Sequence, residues 1–283
     1  MWTVPERLSN RQKSRRHAMA DAKQIDDPLF IGWLRMPRRD ARFLRPVVAI
    51  SVLAMLAVAA LIVWRQRSAG NGAWNDGATV VVRGVVVARP YAMLRTLDEN
   101  GQTRTYLLVE DGKFGAGPRV AGLLQGVSES AIVEARGTIL HRDDQWMLAL
   151  EPGATGMRSI AGDDDAKRFS AIASVLPRPI GERVMLQGEI IDPKCYFGAM
   201  KPGGGKTHKA CAMRCVAGGI PPMLVTNDTD GRPKYFLLAT PEGGPANESL
   251  FPYVGDQVEL TGTLEQHGDI VVVKVAPSDV RVR

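Results

Sequence analysis

The chain has 283 residues, of which 45% are hydrophobic and 23% charged, and it carries a formal net charge of +6 with three cysteines. Residues 1–45 hold eleven Lys/Arg and five Asp/Glu, so the whole excess sits there and the rest carries twenty-five charges of each sign. A neutral main body lacks the phosphate-neutralising surface that drives nucleic-acid affinity, which excludes nucleic acid as the expected partner.

Residues 1–45 read as a basic cytoplasmic tail. Its Arg7, Arg11, Lys13, Arg15, Arg16, Lys23, Arg35, Arg38, Arg39, Arg42 and Arg45 precede nineteen uncharged positions, Pro46 to Trp64. At ~1.5 Å per residue this stretch and its flanks cover a ~30 Å hydrocarbon core, and the predicted membrane span is 46–65. Only Arg65 and Arg67 follow in the next fifteen positions. That asymmetry puts the N-terminus inside and the C-terminal bulk outside. A cleaved signal peptide would be shorter and nearer the start. The expectation is a single-pass protein of the bacterial inner membrane, with its C-terminal domains in the periplasm. The tail would also be drawn to anionic inner-leaflet lipids, and Pro28 to Leu34 has the apolar, aromatic character of an interfacial segment.

A Gly/Ser/Asn-bearing stretch, 66–78, reads as a flexible linker. Two β-rich units are expected at 79–151 and 182–283. Between them, 152–181 is read as a linker with a short helix: Asp163, Asp164 and Asp165 favour its N-terminus, and Pro177 and Pro179 stop the chain from continuing it. The two units echo each other. The strand Val80 to Ala88, with Gly84 inside it, matches Arg183 to Ile191 with Gly188. Tyr106 to Val109 matches Tyr235 to Leu238, and Val133 to Leu140 matches Val258 to Glu265. Each unit then turns, at Arg142-Asp143-Asp144 or His267-Gly268-Asp269, into a last strand, Gln145 to Leu150 or Ile270 to Val275. Short strands, a bending glycine in the first and a closing hairpin resemble the OB-fold, a five-stranded barrel. The predicted fold is therefore an all-β ectodomain of two tandem OB-like barrels behind one transmembrane helix, with a single β-sandwich as the alternative.

All three cysteines fall in one insertion, 192–222, of the second unit; the matching part of the first, Arg89 to Arg104, holds neither Cys nor His. Thr207 and Gly218 bracket a predicted helix, His208 to Ala217, which puts His208, Cys211 and Cys215 on one face. Cys195 arrives from the end of the first strand. In one reading Cys195 bridges Cys211 or Cys215 and staples the loop, leaving one thiol; with Cys195–Cys215 bridged, Cys211 would be the redox-active group. In the other, Cys195, His208, Cys211 and Cys215 are ligands suited to Zn or Cu. Lys201, Lys206 and Lys209 beside a helix start form a weak candidate for anion binding. Gly205-Lys206-Thr207 is no P-loop, because the glycine it requires is Met200. His141 and His267, at hairpin ends, are expected on the surface, as is His17. Asp143 and Asp144 have no visible acid/base partner, and Met200 and Met213 flank the cysteines. No catalytic residues are expected; G-x-S-x-G is missing and no Ser/His/Asp arrangement is suggested.

With one anchor ahead of an OB-like barrel, the layout is similar to the haem chaperone of bacterial cytochrome c maturation. That family attaches haem through a histidine near a tyrosine-bearing C-terminal strand end. This chain ends Ser278-Asp279-Val280-Arg281-Val282-Arg283 with neither, so haem attachment is not carried over. The insertion, with Cys195-Tyr196, His208-x-x-Cys211 and Cys215, resembles stretches of uncharacterised bacterial envelope proteins. The function expected from all this is a non-catalytic binding or assembly subunit with a membrane or periplasmic protein partner. A metal-handling or thiol-redox accessory is the alternative.

Overall fold

The computed structural model describes residues 36–65, 70–126, 130–173 and 175–283. His17 and the 28–34 segment lie outside them. Two units are separated, residues 1–68 and 69–283. In the first, helix α1 (Arg38–Arg65) is long and apolar enough to cross a membrane. It starts at Arg38, so the predicted 46–65 span is the C-terminal part of a longer helix that carries Pro46 inside it.

The second unit is built from paired strands. Strand β1 (Ala73–Trp74) is followed by β2 (Val80–Val87), β3 (Met93–Leu97), β4 (Thr103–Val109), helix α2 (Gly117–Leu124), β5 (Ser130–Arg142) and β6 (Gln145–Leu150). In space the order is β5-β2-β3-β4-β6, and β6 closes back onto β5. After β7 (Met157–Ser159), α3 (Asp163–Ala173) and β8 (Arg178–Pro179) come β9 (Val184–Ile191), α4 (Lys209–Ala217), β10 (Met223–Asn227) and β11 (Pro233–Ala239). The short helix α5 (Asn247–Leu250), β12 (Gln257–His267), β13 (Ile270–Lys274) and β14 (Val280–Val282) complete it. Here the order is β12-β9-β10-β11-β13, closed by β13 on β12. Both are closed five-stranded OB-like barrels, each with one parallel pair, β4 with β6 and β11 with β13.

The echo in sequence extends to atomic detail. Asp98 Oδ1 accepts from the backbone N–H of Asn100 and Gln102 at 2.9 Å; Asp228 Oδ1 does the same for Asp230 and Arg232 at 2.9 and 2.8 Å. A Cβ at Gly84 would stand 2.1 Å from the Arg95 carbonyl oxygen, and one at Gly188 the same distance from that of Val225. Glycine is there so that the bent first strand can lie against its neighbour.

Strands β3 and β10 were not anticipated. Arg95 interrupts the first, and the second follows Pro221-Pro222, so neither shows a clean alternation. The 66–78 linker reading also needs correction, since Ala73 and Trp74 pair with His141 and Leu140, and Trp74 Nε1 donates to Thr138 Oγ1 at 2.9 Å. The 152–181 connector is likewise pinned at both ends, β7 on β5 and β8 on β12.

The continuous apolar runs of β4 and β11 now have a cause: both faces are covered. Tyr106 and Leu108 point into the first barrel, and Leu238 and Phe236 into the second. Leu107, Val109, Leu237 and Ala239 point the other way, into an apolar seam shared by the two barrels with Met93, Met147, Met223 and Val272. Polar contacts repeat on either side of this seam. Tyr235 OH donates to Asp143 Oδ2, and Thr105 N–H donates to Asp269 Oδ2 at 3.0 Å. The turn at Asp143 thus has a partner that the sequence did not reveal.

Candidate metal centre at the seam

The insertion leaves β9 through Asp192. This carboxylate is fully buried, and its Oδ1 accepts from the N–H groups of Lys194 (2.9 Å) and Cys195 (3.4 Å), which fixes the turn that delivers Cys195. Residues Cys195–Ala199 form a single wide helical turn. The chain returns as α4, one residue shorter than expected. Thr207 makes no cap; His208 takes the N-cap position, without a side-chain cap bond. At the other end Gly219 (φ 96°), not Gly218 (φ −78°), adopts the left-handed conformation. Asn247 Nδ2 holds that end by donating to the Val216 and Ile220 carbonyls at 2.9 and 2.8 Å.

His208, Cys211 and Cys215 do share one face, and Cys195 meets it. Donor atoms of Cys195, His208 and Cys211 all lie within 4.8 Å of one another, and so do those of Asp192, Cys195 and Cys215. The three cysteines are free thiols, with Cys195 Sγ and Cys211 Sγ 4.0 Å apart. The structure therefore does not contain the stapling disulfide, whose sulfurs would stand at ~2.05 Å. Two sulfurs on a tetrahedral ion with bonds of ~2.3 Å are separated by roughly 3.8 Å, close to the spacing observed.

Two polar atoms at the centre lack partners. His208 is 4% exposed and Asp192 0%, yet neither His208 Nε2 nor Asp192 Oδ2 makes a hydrogen bond; they lie 3.8 Å apart. A buried, unsatisfied polar group costs on the order of 1–3 kcal/mol, which a bound ion taking these atoms as ligands would relieve. The neighbouring Cys215 sulfur, burial and the nearby Asp192 carboxylate hold the Cys195 thiol well above the ordinary thiol range. A metal ion reverses that preference by taking the thiolate as ligand.

The first barrel contributes a residue that the sequence did not flag. Lys113, on the loop after β4, places Nζ 2.9 Å from Cys211 Sγ and 3.6 Å from Cys215 Sγ. Its hydrogen bond to Cys211 raises the ammonium above the usual lysine range. Lys194 points in the opposite sense. Buried at 4% exposure, its Nζ donates to the Glu110 and Gly112 carbonyls at 2.7 Å each, and burial lowers its basicity. The loop sits this close because glycines meet: Gly115 N–H donates to the Gly218 carbonyl at 3.0 Å, and a Cβ on Gly218 would stand 1.9 Å from the Lys113 carbonyl oxygen. A lysine flanked by Gly112 and Gly115 was the available signal.

Other expected residues fall elsewhere. Lys209 Nζ is paired with Asp256, while Lys201 and Lys206 are exposed. Met200 is exposed and Met213 packs on the second barrel's own core, so neither joins the sulfur cluster. His141 stacks on Trp146, and His267 is buried rather than on the surface. The hairpin end carrying His267 packs against the first barrel, which a single-strand reading could not foresee.

No family model matches the chain, and no curated protein matches it. Among solved structures, a deletion mutant of the single-stranded DNA binding protein from Thermus aquaticus is similar at 11% identity, covering 75% of this chain and 87% of that one, with a TM-score of 0.18. That likeness is too slight to carry an argument. These comparisons lend no support to the haem-chaperone resemblance.

Proposed function

We propose that this chain is a membrane-anchored bacterial envelope protein that binds rather than catalyses, and that Cys195, His208, Cys211 and Cys215 hold one Zn or Cu ion. The ion would fasten the insertion of the second barrel and so shape a contact surface for a membrane or periplasmic protein partner. Carrying this reading are two triads that share Cys195, one with His208 and Cys211 and one with Asp192 and Cys215, built from free thiols and a buried imidazole whose Nε2 makes no hydrogen bond. Thiolates with imidazole favour Zn or Cu over Mg or Ca. Lys113 sets a positive charge beside what would be an anionic cluster. The basic tail ahead of α1 supports an N-terminus in the cytoplasm and barrels in the periplasm.

Elemental analysis of the full chain, purified in mild detergent, tests the centre. About one Zn or Cu per chain is expected, with thiols that resist a thiol reagent until a chelator is added. Three freely reacting thiols and no bound metal would overturn it. The 4.0 Å gap between Cys195 and Cys211 favours a second reading, a dithiol that cycles to a disulfide. That reading predicts one reactive thiol without reductant and three with it. Protease added to intact spheroplasts tests the orientation: it should digest the barrels.

A further inference from the structure

Away from the cysteines, a cavity of about 350 Å³ opens between the first barrel, the connector after α3 and the closing hairpin of the second barrel. Its walls are mostly aliphatic, with Val87, Leu124, Val175 and Leu176 among them. Two nitrogen-bearing residues set into it are more than nine-tenths buried: Arg95 at 3% exposure and His267 at 5%. Arg89 stands exposed at the same cavity.

The hydrogen bonding of these two residues is incomplete. Arg95 Nη1 donates to the Val175 carbonyl at 2.8 Å, but Arg95 Nε has no partner. Among the described residues no carboxylate forms an ion pair with this guanidinium; Asp269 lies nearby, with its oxygens taken by Thr105. His267 Nε2 is 3.2 Å from Glu265 Oε2, and Nδ1 has no partner. The Asp269 charge nearby offsets part of the cost of burying this guanidinium, but the unpaired Nε remains a costly buried donor that an arriving anion would satisfy.

We infer that this cavity binds an amphipathic organic carboxylate, its head between Arg95 Nε and His267 Nδ1 and its aliphatic part along Val87, Leu124, Val175 and Leu176. The site is separate from the cysteine centre and does not depend on it. Because Nε2–H is directed at Glu265, a neutral His267 presents a bare lone pair at Nδ1, so the carboxylate binds with uptake of one proton there. The charged groups around this imidazole are Glu265 on its own strand, Lys274 on β13, Arg95 on β3 and Asp269 in the turn; burial holds it below its ordinary range. Affinity should therefore weaken as pH rises.

The test uses the full chain in mild detergent with ¹⁵N-labelled histidine, where the His267 ring signals are assigned by their absence in His267→Gln. Hexanoate is the probe, with acetate, 1-hexanol and inorganic phosphate as comparisons. Expected are saturable movement of the His267 signals with Nδ1 becoming protonated, binding weaker for acetate by about tenfold or more, and a further loss of about tenfold or more in Arg95→Gln. The wild-type titration does not depend on Arg95→Gln, so a misfolded Arg95→Gln would not spoil the test. Unmoved His267 signals with hexanoate at about 10 mM, a concentration reaching even weak affinities, would overturn the inference. So would equal binding of 1-hexanol, which shows no need for charge, or of phosphate, which shows no need for an aliphatic part.

Discussion

Between its first and second strands the first barrel uses five residues, 88–92, where the second uses thirty-one, 192–222. Counted from the paired glycines Gly84 and Gly188, Tyr91 and Cys195 occupy the same position. Each reaches across the seam region in its own way. Tyr91 OH donates to the Leu238 carbonyl and accepts from the Ala246 N–H, both at 2.8 Å. On the other side Lys194, one residue before Cys195, clamps the Glu110 and Gly112 carbonyls. At this loop one barrel offers a single phenol, while the other brings a whole sulfur-bearing module. The lesson is that the duplicated frame supplies the docking geometry, and the chemistry is an addition to one copy.

Replacing Cys195, Cys211 and Cys215 together by Ser tests that division most severely. Bound metal should fall from about one per chain to background while the far-ultraviolet circular dichroism of the barrels persists. Loss of the β signal would mean that the module is part of the frame after all. Gly218→Val should come next, destabilising by about 3 kcal/mol or more because its Cβ collides with the Lys113 backbone. Gly77→Val, with nothing near its Cβ, is the control, and urea melts of the two compare them. Tyr91→Phe should cost about 1–3 kcal/mol by leaving the buried Ala246 N–H unpaired, without any change in metal content. The smallest effect, within about 1 kcal/mol, is expected for Asp143→Asn, whose carboxamide still accepts from Tyr235. Should Tyr91→Phe release the metal, the two sides of the seam are coupled more tightly than their chemistry implies.

The repeated strands were legible because each is an apolar run closed by a turn, and the paired glycines marked the bend. Strands β3 and β10 were not, since Arg95, which lines a cavity, sits inside one and Pro221-Pro222 precedes the other. The four-residue Cys/His set could be read because α4 is local, so spacing alone gathers His208, Cys211 and Cys215. Lys113 could not be, as it lies 98 residues from Cys211 and reaches it only through the packing of two barrels. Burial of His267 escaped for the same reason. Disulfide and metal readings share one spacing, and the 4.0 Å sulfur separation suits both a bound ion and a reduced dithiol, so metal content and thiol counting separate them.

The shared apolar seam bears on any attempt to study one barrel at a time. Met93, Leu107 and Met147 on one side and Met223, Leu237 and Val272 on the other are all but inaccessible to water in the intact pair. Severing the chain in the connector would strip each half of its cover and leave a flat greasy wall facing solvent. Fragments cut there should clump, or find one another again and reassemble when mixed.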